Sequence, residues 1–271
     1  MAYNLLKGKK GIIFGALDDK SIAWKTAIRA YEEGARLILT NAPIALRMGT
    51  IHELSKLIGD APVIGADATS VEDIENVYVA ARDHFDGGVD FILHSIGMSP
   101  NVRKGKSYGD LNYEWFQKTL DVSGLSFHKI MQVAEKMEIM NEWGSIIALS
   151  YIAAQRTYPD YSDMAQAKAV LESIARSYGY RMAIKNKVRV NTISQSPTVT
   201  TAGSGVGGFD VFMDFAEKMS PLGNATAEDC ANYCVVMFSD LTRKVTMQNL
   251  MHDGGFSSSG ITEKLIEDLK K

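Results

Sequence analysis

The chain has 271 residues, of which 46% are hydrophobic and 23% are charged, and its formal net charge at pH 7 is -3. This composition is that of an ordinary globular protein, and the slight negative charge argues against a general nucleic-acid binder, which is usually clearly basic. No apolar run approaches the roughly 18 residues that a membrane-spanning helix needs. The N-terminal segment lacks the apolar core of a signal peptide, so we predict a cytoplasmic protein.

Short apolar runs alternate with longer segments of helical pattern along the chain. Apolar runs of this length are typical of strands buried on both faces of a parallel sheet. The first predicted strand, at residues 11–15, leads through a turn into a helix that ends near Glu33. The other predicted strands are Arg36–Asn41, Val63–Ala66, Asp90–His94, Gly144–Leu149, Lys187–Ile193 and Thr246–Leu250. The other predicted helices are Ile44–Leu57, Val71–Phe85, Tyr113–Met140, one that carries Tyr161 and ends near Ala183, Val211–Lys218 and Ala227–Ser239.

This alternation predicts an α/β fold. Seven strands with helices between them favour a right-handed, doubly wound parallel sheet of Rossmann type, with helices on both faces. The sequence has neither an internal repeat nor a composition change that would mark a boundary. We therefore predict a single domain over residues 1–271.

The predicted strand ends carry small or polar residues, where a packed loop would prefer bulky ones. In a doubly wound sheet, ligands bind across the carboxyl ends of the strands. These ends therefore favour a dinucleotide cleft over a set of simple turns. They are Gly15-Ala16, Asn41-Ala42, Ala66-Asp67-Ala68, Ser95-Ile96-Gly97, Ser150-Tyr151 and Gln195-Ser196-Pro197-Thr198.

The turn after the first strand is one candidate contact with such a ligand. It does not match Gly-x-Gly-x-x-Gly, but Gly15 can supply the tight turn. Ser21 and Ala23 are small residues where the later glycines would lie, which permits close approach of a pyrophosphate to the backbone.

The stretch from Ser150 to Lys168 contains the chemically most suggestive residues. Tyr161 and Lys168 are seven residues apart, which on a helix is close to two full turns, so both side chains share one face. A second phenol, Tyr151, stands at the strand end. The ammonium is expected to stabilise the phenolate form and so to lower the cost of giving up the phenolic proton. Taken alone, a surface Tyr and Lys at chance spacing would be the more common explanation.

Two cysteines, Cys230 and Cys234, stand four residues apart in a segment of helical pattern. On a helix they could face one another. No histidine or further cysteine completes a set of metal ligands, so we predict two reduced thiols and no metal site.

Together these features resemble the short-chain dehydrogenase/reductase superfamily and, within it, the bacterial enoyl-acyl-carrier-protein reductases of type II fatty-acid synthesis. The specific part is Tyr-x6-Lys with Tyr151 upstream, because most of the superfamily uses Tyr-x3-Lys with an upstream serine, and here position 165 is alanine. The residues that carry the resemblance are Gly15, Ser21-Ile22-Ala23, Asp67, His94-Ser95-Ile96-Gly97, Leu149-Ser150-Tyr151, Tyr161, Lys168, Arg189-Val190-Asn191, Pro197 to Thr200 and Asp253-Gly254-Gly255-Phe256.

The resemblance implies NADH-dependent hydride transfer to the β-carbon of trans-2-enoyl thioesters, the last reductive step of the fatty-acid elongation cycle. Tyr161 would hydrogen-bond the thioester oxygen, on which charge develops only as hydride arrives. Lys168 would hold the nicotinamide ribose hydroxyls, and Tyr151 would help to orient the acyl group. Whether Tyr161 or solvent finally protonates the enolate is left open.

The resemblance also implies the binding residues. For the residues of the acyl channel, Met164, Ala202, Val206 and Phe209, the alternative is ordinary core packing. For Asp67 the alternative is that it caps the following helix, though Thr69 or Ser70 would serve as a better cap. The implied cofactor contacts are Gly15, Ser21, Ile22, Ala42, Asp67, Ala68, Ser95, Ile96, Gly97, Lys168, Thr198, Val199, Thr200, Thr201 and Ala202. The implied substrate contacts are Met98, Ser99, Tyr151, Tyr161, Met164, Ala202, Val206 and Phe209.

NADH is preferred over NADPH on the residues that follow the second strand. A ribose 2′-hydroxyl is usually held there by an acidic residue and a 2′-phosphate by Arg or Lys. The chain offers Asn41-Ala42-Pro43, which is neither acidic nor basic, and Arg47 lies five residues beyond Ala42. Arg47 is either a surface residue or a phosphate clamp. Without an adjacent Arg-Lys pair, we predict NADH.

Two surface features suggest partners and a lid. The segment Gln195–Gly208 is rich in Gly, Thr and Ser, and we predict a substrate lid at about residues 195–220, with a plain flexible loop as the alternative. The basic run Arg103-Lys104-Gly105-Lys106 could contact the acidic acyl carrier protein or simply be solvated. Relatives in the superfamily are usually tetramers, so we expect a homotetramer.

Two other functions compete with enoyl reduction. One is reduction of a ketone such as a 3-oxoacyl thioester, which should come with the shorter Tyr–Lys spacing. The other is a dinucleotide sensor that has lost catalysis, and such a protein would be free to lose Tyr161 or Lys168, yet both are present.

Overall fold

The computed structural model of the chain describes residues 2–47, 50–159, 161–201 and 209–270. Within these ranges, seven parallel strands form one sheet in the order β3-β2-β1-β4-β5-β6-β7. Strands are therefore added first on one side of β1 and then on the other, which confirms the doubly wound topology. The strands are β1 (Lys10–Phe14), β2 (Arg36–Asn41), β3 (Val63–Gly65), β4 (Val89–His94), β5 (Met140–Ser150), β6 (Arg189–Gln195) and β7 (Asn249–His252).

Helices cover both faces of the sheet, as predicted. One predicted helix, Ile44–Leu57, is wrong as a single element, since two helices, α2 and α3, occupy that part of the chain. The sequence between them includes Gly49, which has low helix propensity. The helices are α1 (Ile22–Glu32), α2 (Pro43–Leu46), α3 (Ile51–Leu57), α4 (Val71–Phe85), α5 (Pro100–Arg103), α6 (Tyr113–Leu120), α7 (Ser126–Lys136), α8 (Ser162–Asn186), α9 (Phe209–Met219), α10 (Ala227–Phe238) and α11 (Glu263–Leu269).

The unalternating strands are explained by two apolar cores, one on each face of the sheet. Along β1, Ile12 and Phe14 pack into the core beneath α4, α7 and α8, while Ile13 packs into the core beneath α1, α3 and α10. Successive side chains of a strand point to opposite faces, so burial on both sides favours apolar residues at consecutive positions, as in β1. The two cores therefore enclose the sheet between two layers of helices.

The long predicted helix Tyr113–Met140 is interrupted. After α6, a wider π-helical turn at Asp121–Leu125 leads into α7, and Met140 already belongs to β5. A Cβ at Gly124 would lie 3.0 Å from the Ala167 carbonyl oxygen, so the glycine lets this turn press against α8. π-helical turns inside α-helical stretches are frequent at functional sites. Here the turn lies beside the loop that follows β4.

The strand register brings the ends of the central strands to one level. Phe14 of β1 lies opposite Thr40 of β2 and His94 of β4, and Ser150 of β5 lies opposite Ser194 of β6. The residues that follow these positions therefore share one edge of the sheet. This alignment gathers segments that are far apart in sequence.

Cys230 and Cys234 are free thiols, buried in the core under α10, and their role is in packing. No group of three or more His, Cys, Asp or Glu side chains among the described residues could hold a metal ion. No helix in the described ranges is both long and apolar enough to cross a membrane. The cytoplasmic location stays a prediction.

Candidate active site

A pocket of about 240 Å³ lies at the carboxyl edge of the sheet. Its walls come from the loop that follows β4, the end of β5, the first turns of α8, the segment that follows β6, and α9. Because parallel strands direct their carboxyl ends to one edge, five distant segments meet around this space. Tyr151, Tyr161 and Lys168 all line it.

Tyr161 stands immediately before the first residue of α8 rather than within the helix. The prediction that Tyr161 and Lys168 lie on one face of the same helix is therefore wrong for Tyr161, which precedes the helix. Ser162, the first helical residue, has a left-handed φ of 49°, so the chain turns sharply after Tyr161. This turn brings the phenol beside Tyr151, with ring centroids 5.0 Å apart.

Lys168 is 93% buried and is held by backbone carbonyl groups. Its Nζ donates to the Leu149 carbonyl oxygen at 2.8 Å and to the Ile96 carbonyl oxygen at 3.5 Å. Burial lowers the pKa of this amine from 10.5 to about 8, while the nearby Glu172 carboxylate acts in the opposite direction. The ammonium is thus fixed between the ends of β4 and β5, with its proton less tightly held than usual.

Glu172 lies one helical turn beyond Lys168 and is also buried. Its carboxylate accepts hydrogen bonds from the Ser150 hydroxyl at 2.6 Å and from the Gln155 amide at 2.9 Å. These bonds join α8 to the end of β5 and to the loop that follows it. They also place a negative charge where it favours the charged form of Lys168.

The expectation that Lys168 lowers the pKa of Tyr161 is wrong. Tyr161 is buried, and burial raises the pKa of its phenol above 10. The ammonium is directed at backbone carbonyls, so it does not compensate for the lost solvation of a phenolate. Tyr161 is therefore a neutral hydrogen-bond donor at ordinary pH.

A third tyrosine, Tyr158, completes an aromatic cluster that the sequence did not single out. Burial raises the pKa of Tyr151, and the hydrogen bond that its hydroxyl donates to Tyr158 raises it further. The Tyr158 ring packs 5.8 Å from Phe212 of α9 and 6.3 Å from Phe256, measured between ring centroids. Tyr158 thus connects Tyr151 to the helix that follows the Gly-rich segment.

The loop after β4 is anchored on its inner side. Ser123 of the π-helical turn accepts a hydrogen bond from the Met98 N–H at 2.9 Å and donates one to the Met98 carbonyl at 3.0 Å. Ser99 caps α5 by accepting from the Val102 N–H, and its hydroxyl donates to the Asp163 carboxylate at 2.6 Å. Ser99 lines the pocket, but its hydroxyl is directed into the protein.

His94 ends β4 and is fully buried behind the pocket. Its Nε2 lies 2.8 Å from the Ser126 hydroxyl. Burial, with a smaller effect from the charge of Lys168, lowers the pKa of His94 to about 3. The imidazole is therefore neutral, and its contribution is to hold α7 against the strand.

The remaining predicted cofactor contacts extend along the same edge, beyond β4. Gly15 follows β1 with a φ of 99°, and a Cβ there would lie 2.1 Å from the Ser95 carbonyl oxygen. No side chain fits at that point, so only glycine lets the turn after β1 pass directly against the loop that follows β4. The Ser21 hydroxyl caps α1, accepting from the Trp24 N–H at 3.2 Å.

After β2 and β3, polar side chains bind the backbone of their own loops. Asn41 donates to the Ala16 carbonyl at 2.7 Å and accepts from the Ala42 N–H at 2.8 Å. Asp67 accepts from the backbone and hydroxyl of Thr69. The cap of α4 is Ser70, so Asp67 stabilises the loop after β3 and is not the helix cap.

The pocket gathers twelve of the residues predicted to bind substrate or cofactor. They are Ile22, Ser95, Ile96, Gly97, Met98, Ser99, Tyr151, Tyr161, Met164, Lys168, Thr198 and Thr200. Seven further predicted residues are described but do not line it: Gly15, Ser21, Ala42, Asp67, Ala68, Val199 and Thr201. Ala202, Val206 and the side chain of Phe209 lie outside the described part of the chain.

Several pocket residues were absent from the predicted site. Val102 and Arg103 belong to α5, Tyr158 lies in the loop before Tyr161, and Phe212 belongs to α9. Tyr158 stands within the stretch from Ser150 to Lys168, so its place there was a usable signal. Phe212 lies 14 residues beyond Thr198, and no spacing rule connects it to the strands.

Comparisons with known proteins agree on one family. The family model described as enoyl-(acyl carrier protein) reductase matches residues 15–257. The enoyl-acyl-carrier-protein reductase (NADH) 1 of Rhizobium meliloti (strain 1021) is 32% identical over 261 residues, covering 96% of this chain and 94% of the relative. The enoyl-acyl-carrier-protein reductase (NADH) FabI of Aquifex aeolicus (strain VF5) is 33% identical, covering 98% and 97%. The crystal structure of a FabI-NADH complex from Alistipes finegoldii is 63% identical, with a TM-score of 0.95, covering 97% of this chain and 92% of that one.

Proposed function

The chain belongs to the enoyl-(acyl carrier protein) reductase family, and from this membership we infer how its own side chains carry out the reaction. It is an NADH-dependent enoyl-acyl-carrier-protein reductase, which saturates trans-2-enoyl thioesters carried on acyl carrier protein. Hydride from bound NADH is added to the β-carbon, a proton is added to the α-carbon, and the products are the acyl thioester and NAD⁺. The observation that carries our residue assignment is the convergence of Tyr151, Tyr161 and Lys168 on one pocket.

We assign Tyr161 to the thioester oxygen. When hydride is added to the β-carbon, negative charge develops on that oxygen and a hydrogen-bond donor there stabilises the transition state more than the ground state. Burial raises the pKa of Tyr161, so its hydroxyl keeps its proton and can serve as that donor over the whole neutral range. Tyr151, 5.0 Å away between ring centroids, forms the adjoining wall and orients the acyl group.

We assign Lys168 to the cofactor ribose. Its ammonium already reaches two main-chain carbonyls at the ends of β4 and β5, and ribose hydroxyls entering this edge could accept its hydrogen bonds. Its charge also adds positive potential where negative charge develops on the substrate. Lys168 therefore anchors the cofactor and assists Tyr161 through the electrostatic field.

The residues at the sheet edge fit a dinucleotide. The turn at Gly15 packs directly against the loop after β4, since a Cβ there would overlap the Ser95 carbonyl, and the two segments form one continuous edge. It lies just before α1, whose N-terminal N–H groups favour a pyrophosphate. Ile22, Ser95, Ile96, Gly97, Thr198 and Thr200 would line the nicotinamide half, and Ala42, Asp67 and Ala68 the adenine half.

We further propose that residues 195–220, which include α9 and of which 202–208 lie outside the described part of the chain, act as the substrate lid. Phe212 of α9 already contacts the Tyr158 ring, so the helix can transmit the presence of an acyl chain to Tyr151. The lid would exclude water from the reacting atoms. Arg103, exposed at the mouth of the pocket, and Lys104 beside it would meet the acidic carrier protein.

We also propose a homotetramer. The outer surfaces of the π-helical turn and α8 expose apolar side chains, with Leu125 at 42%, Tyr180 at 63% and Ile184 at 70%. Apolar side chains exposed along neighbouring helices are typical of surfaces that bind another protein. Light scattering coupled to size-exclusion chromatography gives the mass directly, and a monomer at micromolar concentration would contradict the proposal.

The reaction is tested by the loss of NADH absorbance with a crotonyl thioester of acyl carrier protein. The expected result is faster turnover with NADH than with NADPH, and faster turnover of the enoyl thioester than of a 3-oxoacyl thioester. Faster reduction of the 3-oxoacyl substrate would favour the ketone reductase instead. Binding of NADH without turnover of either thioester would favour the sensor.

A further inference from the structure

A buried carboxylate, Asp163, lies two residues beyond Tyr161 and is fully excluded from solvent. Its Oδ1 accepts from the Ser99 hydroxyl at 2.6 Å. Its Oδ2 accepts from the Asn101 amide at 2.7 Å and from the Thr119 hydroxyl at 2.9 Å, which shares its single proton with the Trp115 carbonyl at 2.8 Å. A buried carboxylate is costly unless donors surround it, and here three donors from two other segments do so.

The three donors belong to elements that form one wall of the pocket. Ser99 and Asn101 cap and begin α5, and Thr119 lies near the end of α6. Asn101 in turn donates to the Asn112 carbonyl and accepts from the Asn112 N–H. Asp163 is thus the point at which α5, α6 and the start of α8 are fastened together.

The residue between Tyr161 and Asp163 is strained. Ser162 has a φ of 49° without being glycine, and its buried hydroxyl has no hydrogen-bond partner within the described part of the protein. A left-handed non-glycine residue persists only where neighbouring contacts over-determine it. The bonds to Asp163 are the contacts that hold the turn from the helix side.

We propose that Asp163 is a positioning residue for the reduction: its carboxylate holds the left-handed turn at Ser162 and thereby aims the Tyr161 phenol into the pocket. The same carboxylate keeps the loop that follows β4 in place as the facing wall. This inference rests on the proposed role of Tyr161. Asp163 itself touches neither substrate nor cofactor.

The test is Asp163→Asn, which keeps the shape of the side chain but replaces one acceptor oxygen with a donor. We expect kcat with the crotonyl thioester to fall about 10- to 100-fold, because misplacement by an ångström can cost that much. The dissociation constant for NADH, measured by fluorescence titration, should change less than about twofold, since Lys168 is held by other contacts. Thr119→Val removes a single donor and should give a smaller fall of the same kind.

The rescue is Ser162→Gly in the Asp163→Asn background. Glycine adopts a positive φ without strain, so the turn should be restored and most of kcat regained. The matched control is Asp90→Asn, because Asp90 also accepts two hydrogen bonds, from the Lys10 N–H and the Asn141 amide, but lies at the start of β4, away from the carboxyl end of the strand that borders the pocket. This control should lower the melting temperature and leave kcat unchanged.

Three results would overturn the inference: an unchanged kcat in Asp163→Asn, a parallel loss of NADH affinity, or no recovery on adding Ser162→Gly. Turnover by the wild-type enzyme tests the reaction itself, whereas the ratio of variant to wild type tests Asp163. The two can therefore fail separately.

Discussion

Binding of NADH should weaken as the pH rises above about 8, the pKa to which burial lowers Lys168. Below this pH the ammonium is charged and can donate to the ribose hydroxyls. Above this pH the Lys168 amine is neutral in the free enzyme, so it must take up a proton when NADH binds, and this proton uptake weakens the binding. The affinity is therefore fully present below the pKa of the free enzyme and is lost as the pH rises through it.

The size of the effect follows from the two pKa values involved. Bound NADH carries negative charge and supplies acceptors, so the pKa of Lys168 should be higher in the complex than in the free enzyme. If binding returned it to the ordinary 10.5, the dissociation constant would rise about tenfold between pH 7 and pH 9. A smaller recovery of the pKa would give a smaller rise that levels off sooner.

Other ionisable groups of the pocket wall do not obscure this window. Burial raises the pKa values of Tyr151, Tyr158 and Tyr161 above 10, so these phenols stay neutral. His94, behind the wall, has a pKa of about 3 and is neutral as well. Among these groups in the described part of the chain, Lys168 is thus the one whose charge changes in this range.

The assay is a fluorescence titration of NADH from pH 7 to pH 9.5. Lys168→Met should bind NADH weakly and with no bend near pH 8. Lys129→Met is the matched control, since Lys129 bonds the Thr69 carbonyl and Asp121 outside the pocket wall, and it should keep the wild-type profile. A flat wild-type profile, or the same bend in Lys168→Met, would refute the assigned role.

Three substitutions test other parts of the site. Tyr161→Phe removes the proposed donor and should lower kcat about 10²- to 10³-fold with little change in NADH affinity, as steady-state kinetics and titration would measure; an unaltered kcat would exclude it from the mechanism. Tyr158→Phe keeps the ring but removes the acceptor of the Tyr151 hydroxyl, so kcat/KM should fall about fivefold, and no change would mean that the bond does not orient Tyr151. Gly15→Ala places a Cβ 2.1 Å from the Ser95 carbonyl oxygen at a residue whose φ is 99°. It should lower the free energy of unfolding, measured by thermal denaturation, by about 3 kcal/mol, and it should also weaken NADH binding. A variant as stable as wild type would show that this turn can move.

The architecture was open to prediction because burial on both faces leaves a clear pattern. The predicted bounds of the strand Arg36–Asn41 and of the helix Val71–Phe85 are the observed ones, because the apolar pattern stops at those residues. The alternation of strands with helices implies a parallel sheet. The prediction was wrong where the helical geometry changes within a segment of continuous helical pattern, as in Tyr113–Met140. The π-helical turn at Asp121–Leu125 is an example, since close contact of Gly124 with α8 decides it.

The chemistry of the pocket was only partly open to prediction. Tyr161 and Lys168 are neighbours in sequence spacing, so their meeting follows from a short stretch of chain. The pKa values do not, because they depend on how much protein surrounds each group. That is why the phenol of Tyr161 is harder to deprotonate than expected, whereas the ammonium of Lys168 loses its proton more easily than an exposed lysine does.

By itself the sequence determined the parallel sheet and the edge of it at which the pocket lies, and it singled out Tyr151, Tyr161 and Lys168 as candidates, because local pattern and spacing encode these features. Only the tertiary structure decided what surrounds those side chains. Ser99 and Thr119 are 64 and 44 residues from Asp163, yet all three meet in one buried cluster. Contacts over such distances depend on packing between elements, and no local pattern records them.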